Sequence, residues 1–170
     1  MKPLQIQTPR LVLMGATPHI LAADMAGPDA LAAALGVEIS ASWPPEHHDE
    51  GVIRWTMRTL AASPINTPWT LFYIVHDGVA VGTCGFTGVP DENHGVEIGY
   101  SVLPIHQRRG FASEAAAALV HHAFACGARE VAAETYPQLV ASLRVMANCG
   151  MQPVAGGSEP GVVRWAISRE

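Results

Sequence analysis

The segment Val96-Glu97-Ile98-Gly99-Tyr100-Ser101-Val102-Leu103-Pro104-Ile105-His106-Gln107-Arg108-Arg109-Gly110-Phe111-Ala112-Ser113-Glu114-Ala115 constrains the fold more than any other part of the chain. Gly95 to Leu103 reads as a strand, and Phe111 to Cys126 is helix-compatible up to Gly127, a C′ residue. Between them lies a turn that contains glycine. A helix that starts this way leaves its first N–H groups without partners, and its dipole adds positive potential there, which together form a site for phosphate anions. Gly110 lets the backbone approach a ligand, and small Ala112 keeps the first turn uncrowded. Arg108 and Arg109 add positive charge where a pyrophosphate would lie. Neither G-x-G-x-x-G nor Gly-Lys-Ser/Thr occurs here, and the turn follows a hairpin rather than a first strand, which separates it from dinucleotide-binding and P-loop folds.

The other elements fall into a mixed order. Ile6 to Gly15 reads as a first strand. Thr17-Pro18 starts a helix, with Thr17 as N-cap, and Ala-rich stretches from His19 to Ala26 and Pro28 to Leu35 follow as short helices. Trp43-Pro44-Pro45 interrupts helix formation, Asp49 caps the next helix, and Ser63-Pro64 ends it. Trp69 to His76 and Val79 to Thr87 flank Asp77-Gly78, the dipeptide of a tight hairpin. After the long helix come a strand from Val131 to Tyr136 and a helix from Val140 to Cys149 closed by Gly150. Final strands lie near Met151 to Ala155 and Val162 to Ile167. No repeat or linker divides the chain, so one α/β domain over residues 1–170 is expected.

Composition narrows the function classes. Hydrophobic residues make up 49% and charged residues 15%, a globular balance. A net charge of −5, with Arg108-Arg109 as the only adjacent basic pair, argues against a nucleic-acid surface and suits one small polyanion. No window is apolar enough to cross a membrane, and Met1 to Leu13, which alternates like a strand and carries Pro3 and Pro9, does not read as a signal peptide. Cys84, Cys126 and Cys149 fit no disulfide or zinc spacing, so reduced thiols and a cytoplasmic location are expected. The adjacent pairs His47-His48 and His121-His122 lack metal-ligand spacing and read as solvated or packed side chains; Cys149 reads as small and inert. The oligomeric state is open, a homodimer included.

Gln107-Arg108-Arg109-Gly110-Phe111-Ala112 matches the Q/R-x-x-G-x-G/A motif, and through it the chain resembles the GNAT superfamily of N-acetyltransferases. Glu97-Ile98-Gly99-Tyr100, Pro104, Trp43-Pro44-Pro45-Glu46 and Ile6-Gln7-Thr8-Pro9-Arg10-Leu11 are similar to the branch of ribosomal-protein N-terminal acetyltransferases (the Rim group). So are Glu134-Thr135-Tyr136-Pro137 and the block from Ala141 to Met151. The resemblance implies a mostly antiparallel mixed sheet of about six to seven strands flanked by helices. It also implies acetyl-CoA as cosubstrate, no metal, and direct transfer to an amine. The strand before the turn would splay from its neighbour and admit the pantetheine arm. Backbone groups near Val102 would contact the acetyl end, with the Val102 N–H as oxyanion donor. N–H groups from Gln107, Arg108, Arg109, Gly110, Phe111 and Ala112, with Ser113 beside them, would hold the pyrophosphate.

Two departures bear on the acid and base. The superfamily's common later block places Asn, a small residue, Tyr and Gly at positions that read Leu139, Ser142, Met146 and Gly150 here, and the Rim branch often lacks the Tyr and uses a serine instead. Leu139 lacks the polar contact and Met146 cannot protonate a thiolate, so Ser142 is the remaining hydroxyl; a small residue on a packed helix face is the alternative. Glu97 in the apolar strand is the leading proton acceptor, with Glu134 and Tyr136 in reserve, against a glutamate paired with an arginine. Trp43 would line the acceptor site or plug a loop. A non-catalytic acyl-CoA-binding module and an unrelated nucleotide-binding domain are the competing functions.

Overall fold

The computed structural model describes residues 2–170; Met1, the first residue of the expected alternating segment, lies outside them. In chain order the elements are β1 (Gln5–Gln7), β2 (Val12–Gly15), α1 (Pro18–Ala26), α2 (Pro28–Leu35), β3 (Glu38–Ile39) and α3 (Glu50–Ala62). Then come β4 (Leu71–His76), β5 (Val79–Phe86), β6 (Gly95–Val102), α4 (Phe111–Ala125), β7 (Glu130–Thr135), α5 (Val140–Asn148), β8 (Gln152–Val154) and β9 (Val163–Ser168). The strands form one sheet in the order β1-β2-β4-β5-β6-β7-β9-β8, with β3 added along β5. Only β3–β5 and β6–β7 pair in parallel among the described residues.

Local chemistry explains the boundaries. The Thr17 hydroxyl accepts the Ile20 N–H at 3.3 Å, with Pro18 at the first helical position of α1. Asp49 caps α3 by accepting the Val52 N–H at 3.0 Å. Asp77 and Gly78 both have positive φ, 47° and 75°, the geometry a two-residue hairpin needs. The expected first strand over Ile6 to Gly15 is in fact two strands. Pro9 fixes its own φ and has no N–H, and Thr8 closes a turn by receiving the Leu11 N–H at 2.9 Å, so β1 folds back on β2. That split and the two-residue β3 bring the sheet to nine strands, above the six or seven expected.

The sheet is covered on both faces. Under one face Phe111, Ala115, Ala116, Leu119, Val120 and Ala123 of α4 are buried against Val96, Ile98 and Val102. The alanines let the helix lie close to the sheet. On the other face α1, α2 and α3 bring Ile20, Leu21, Leu31 and Ile53 onto Leu71 and Tyr73. Strand β4 is buried on both sides, which accounts for its unbroken apolar run. Along β6 this layering points Val96, Ile98, Tyr100 and Val102 toward α4, and Glu97, Gly99 and Ser101 toward α3. Among the described residues no helix is long and apolar enough to cross a membrane.

Candidate active site

The sheet opens at its centre. β6 pairs with β7 through three residues only, Gly95↔Glu130, Val96↔Val131 and Glu97↔Ala132. Beyond them β6 follows β5 as far as Gly82↔Val102, while β7 follows β9 as far as Thr135↔Val163. The two strands therefore part. Antiparallel pairing fixes which backbone groups line the gap. The Leu103 N–H donates to Val81 O at 2.9 Å, and Glu97 O accepts from the Thr87 N–H at 2.9 Å, so the odd-numbered residues bond to β5. Val102, even-numbered, turns its N–H away from β5 and toward the opening. Its carbonyl accepts the Gln107 side-chain amide at 2.9 Å, which fixes the end of β6.

The turn after β6 delivers α4 to the same place. Gly110 is its N-cap, at φ 80° and ψ 9°, and no side chain caps the helix. The first intrahelical bond is from Glu114 N–H to Gly110 O at 3.0 Å, which leaves the N–H groups of Phe111, Ala112 and Ser113 free at the helix N-terminus. Arg108 has φ 63°. The Phe111 ring is buried rather than offered to a ligand, with the guanidinium carbons of Arg109 and Arg10 lying 4.6 and 4.9 Å from its centroid. The Ser113 hydroxyl accepts from Asn148 at 3.0 Å and so ties α4 to α5.

Local sequence reading missed a bracket from the chain's start that fixes this turn. Glu114 accepts hydrogen bonds from the Thr8 hydroxyl at 2.8 Å, the Arg10 N–H at 2.8 Å and Arg10 Nε at 2.7 Å, while Arg10 Nη1 reaches Arg109 O at 2.7 Å. Burial alone would push the Glu114 carboxyl up, but these donors and the Arg10 charge outweigh it and hold the carboxyl below its ordinary value. Its contribution to stability is therefore present above the ordinary carboxylate range and is lost as pH falls through the lowered value. Glu114→Gln keeps the shape and removes the charge. We expect it to weaken coenzyme A binding about three- to tenfold by calorimetry, and its stability deficit against the parent to disappear in acid.

Ser142 lies in the first turn of α5, across the opening from β6. The Tyr100 hydroxyl is 3.1 Å from both the Ser142 hydroxyl and its carbonyl. Burial raises the Tyr100 phenol above its ordinary value. Tyr100 thus places a second hydroxyl beside the expected one, and the signal was available in its alternation with Ile98 and Val102. Met146 is buried at 1% exposure in the core, and Leu139 is half-exposed at the helix start. The Cys149 thiol is pushed up to about 11 by burial and faces Ser113 O.

Glu97 is on the α3 face and is engaged. Arg164 Nη1 donates to Glu97 Oε2 at 3.1 Å and to Glu134 Oε1 at 3.1 Å. Protonating the paired oxygen would break that contact, while Glu97 Oε1 accepts no hydrogen bond among the described residues. Glu134 also accepts from the N–H and hydroxyl of Ser158, and the Tyr136 hydroxyl donates to Glu159 at 2.9 Å, so both reserve candidates are occupied.

Above Thr83, Gly85, Gly99 and Ser101 lies a cleft of about 550 Å³ walled by Trp55 and Thr56 of α3, a volume within the range of small-molecule sites. His48 lines it. Trp43 does not; it stacks on Tyr73 with centroids 6.2 Å apart and meets His48 edge-on. Among the described residues no three His, Cys, Asp or Glu side chains gather to hold a metal ion.

A sequence model of the family described as "Acetyltransferase (GNAT) domain" matches residues 22–152. The chain belongs to the GNAT acetyltransferase family. Within it, the Bacillus subtilis (strain 168) protein named "Uncharacterized N-acetyltransferase YoaA" is 36% identical over 73 residues, 42% of this chain and 41% of that relative. The matched stretch is thus under half the relative's length. Solved GNAT-fold structures extend over nearly the whole chain. RimL, a ribosomal L7/L12 α-N-protein acetyltransferase, is 16% identical with a TM-score of 0.68, covering 98% of this chain and 95% of its own. Microcin C7 self immunity acetyltransferase MccE, solved with acetyl-CoA and AMP, is 13% identical with a TM-score of 0.64, covering 95% and 94%. At these identities the structures speak for the fold, which is the GNAT fold expected from the Gln107 to Ala112 motif.

Proposed function

We propose that this GNAT protein is an acetyl-CoA-dependent N-acetyltransferase that moves the acetyl group directly to a primary amine, on a protein N-terminus or a small molecule. One observation carries the reading: β6 and β7 part beside the uncapped N-terminus of α4, with the Val102 N–H turned into the gap. The free N–H groups of Phe111, Ala112 and Ser113 suit the pyrophosphate of acetyl-CoA, and the opening suits its arm. The acetyl-CoA bound by MccE agrees with this assignment.

In this reading the Val102 N–H stabilises the oxyanion as the amine nitrogen bonds to the thioester carbon. The Tyr100–Ser142 hydroxyl pair then passes a proton to the departing sulfur. The amine approaches from the cleft over Gly99 and Ser101, on the face that carries Glu97. Glu97 Oε1 is one group there able to take a proton. The three free cysteines support a reducing compartment such as the cytoplasm.

A ligand that binds only the folded state stabilises it by about 2.7 kcal/mol at a hundredfold excess over Kd. For a domain of this length that is roughly 5–10 °C in Tm. Acetyl-CoA is expected to give such a shift, and NAD and ATP a smaller one. Thiol release with N-terminal peptides, polyamines, amino acids and aminoglycosides then separates a transferase from a module that only binds acyl-CoA. No shift at millimolar acetyl-CoA sinks both.

A further inference from the structure

The α3 face of the sheet presents two unlike rows beside the reacting end. Thr83 of β5 pairs with Ser101 of β6, the neighbour of Val102, so two hydroxyl-bearing residues lie nearest the donor assigned to the oxyanion. The next row on that face is Leu71, Gly85 and Gly99, in register across β4, β5 and β6. Residues on one face of a strand are two apart, so this row lies about 7 Å further along. Its two glycines leave bare backbone on the floor of the cleft, for different reasons. A Cβ on Gly85 would lie 2.7 Å from Thr70 O and 2.9 Å from Leu71 Cα, so the fold itself excludes a side chain there. A Cβ on Gly99 would meet only Thr87 Cγ2, at 3.8 Å, and the Gly99 φ is outside the left-handed region. Glycine inside a strand weakens it, and at Gly99 neither packing nor backbone geometry requires it. The room it leaves opens into the cleft.

Trp55 of α3 lines the same cleft. It is half-buried yet belongs to neither hydrophobic core, so its ring does not serve to seal the sheet. Val52, three positions earlier on α3, and Leu71 line the cleft with it. Indole and aliphatic carbon above bare peptide form a slot for a flat apolar group. The charged lining residues are acidic, Glu46 and Asp49, and both are exposed. Among the described residues no Lys or Arg lines the cleft. Carboxylates at its edge attract an ammonium group, whereas a carboxylate on the acceptor is repelled and meets no cation to pair with.

We infer that the acceptor is a primary amine bearing an aromatic ring two carbons from its nitrogen, with no carboxylate beside that nitrogen. This inference rests on the acetyl-transfer reading and names its substrate class. The nitrogen is over Thr83 and Ser101, next to Val102, and the ring is over Gly85 and Gly99 beside Trp55. A two-carbon chain together with the radius of the ring covers the roughly 7 Å between the rows. The C–N bond forms as the C–S bond breaks with its electron pair on sulfur. Overall R–NH3⁺ and acetyl-CoA give the amide, the free thiol and one proton. Gly99 is then a specificity-determining residue, because a side chain there would occupy the place of the ring.

The test is a panel of acceptors in the thiol-release assay at saturating acetyl-CoA. Phenethylamine is expected to exceed ethylamine, which lacks the ring, and phenylalanine, which adds the carboxylate, by about 10²-fold in kcat/KM. Phenylalanine amide, with the carboxylate neutralised, should recover most of that loss. A peptide that begins with phenylalanine is the other source of the same chemistry. Either one at the head of the panel supports the inference, and their order separates a free amine from a protein N-terminus. Gly99→Val fills the floor and suits a strand, so a Tm at or above that of the parent is expected. Its ratio of phenethylamine to ethylamine kcat/KM should fall about tenfold, with the acetyl-CoA Tm shift retained. Trp55→Ala, outside both cores, should weaken phenethylamine binding to the coenzyme A complex by a similar factor in calorimetry, a readout independent of turnover. Polyamines or free amino acids at the head of the panel overturn the inference and leave acetyl transfer standing, as does a folded Gly99→Val with parental selectivity. A Gly99→Val that fails to fold overturns it too, since the glycine then serves the strand. Acetyl-CoA bound without thiol release from any acceptor overturns the transfer reading, and the substrate class with it.

Discussion

Replacing Gly110 with valine is expected to weaken coenzyme A binding about a hundredfold while the protein still folds. Gly110 has φ 80°, in the left-handed region, where an L-residue pays roughly 1–2 kcal/mol and a β-branched one is poorly accommodated. A Cβ there would lie 3.1 Å from Arg10 Nη2, the far end of a flexible side chain that can move aside. The fold can therefore absorb the substitution. The proposed site cannot, because the valine methyls would stand where its phosphate approaches the N–H groups of Phe111, Ala112 and Ser113. A hundredfold loss corresponds to about 2.7 kcal/mol. Calorimetric Kd values alongside melting curves would check both halves of the claim. Unchanged affinity in a folded variant would mean that the pyrophosphate is held elsewhere.

Legibility in the sequence followed the range of the contacts involved. Caps at Thr17 and Asp49, the Asp77-Gly78 hairpin and the turn from Gln107 to Ser113 are each decided within a few residues, and each stood where local chemistry put it. The break at Thr8-Pro9-Arg10 was local too, but the apolar run of Leu11, Val12 and Leu13 masked it. Other features depend on partners far along the chain. Glu97 meets Arg164 67 positions later, Thr8 meets Glu114 106 positions later, and Asp24 meets His48 and Tyr73 across 24 and 49. Nothing in periodicity or spacing announces such pairs; topology creates them. The geometry of the turn could thus be read from the sequence, whereas these long-range pairs emerged only once the strands and helices that carry them were placed in space.

Gly82→Ala is expected to lower kcat about a hundredfold with only a few-fold change in acetyl-CoA affinity. Gly82 is opposite Val102 in the β5–β6 ladder. An added Cβ would collide with the Ser101 carbonyl oxygen and would lie 2.9 Å from the Val102 Cα. Both obstacles are backbone, so no rotamer change relieves them, and the end of β6 must shift by roughly an ångström. Such a shift moves the Val102 N–H, the donor assigned to the developing oxyanion, and a misplacement of about 1 Å can cost about 10²-fold in rate. The proposed pyrophosphate site belongs to α4, whose N-terminus is fixed separately by Arg10 and Glu114, so binding should largely survive. This split distinguishes a positioning effect from general damage, which would lower affinity and turnover together. Single-turnover rates, Kd and Tm on the same preparation would resolve it. A folded variant with parental turnover would show that Val102 does not carry the oxyanion.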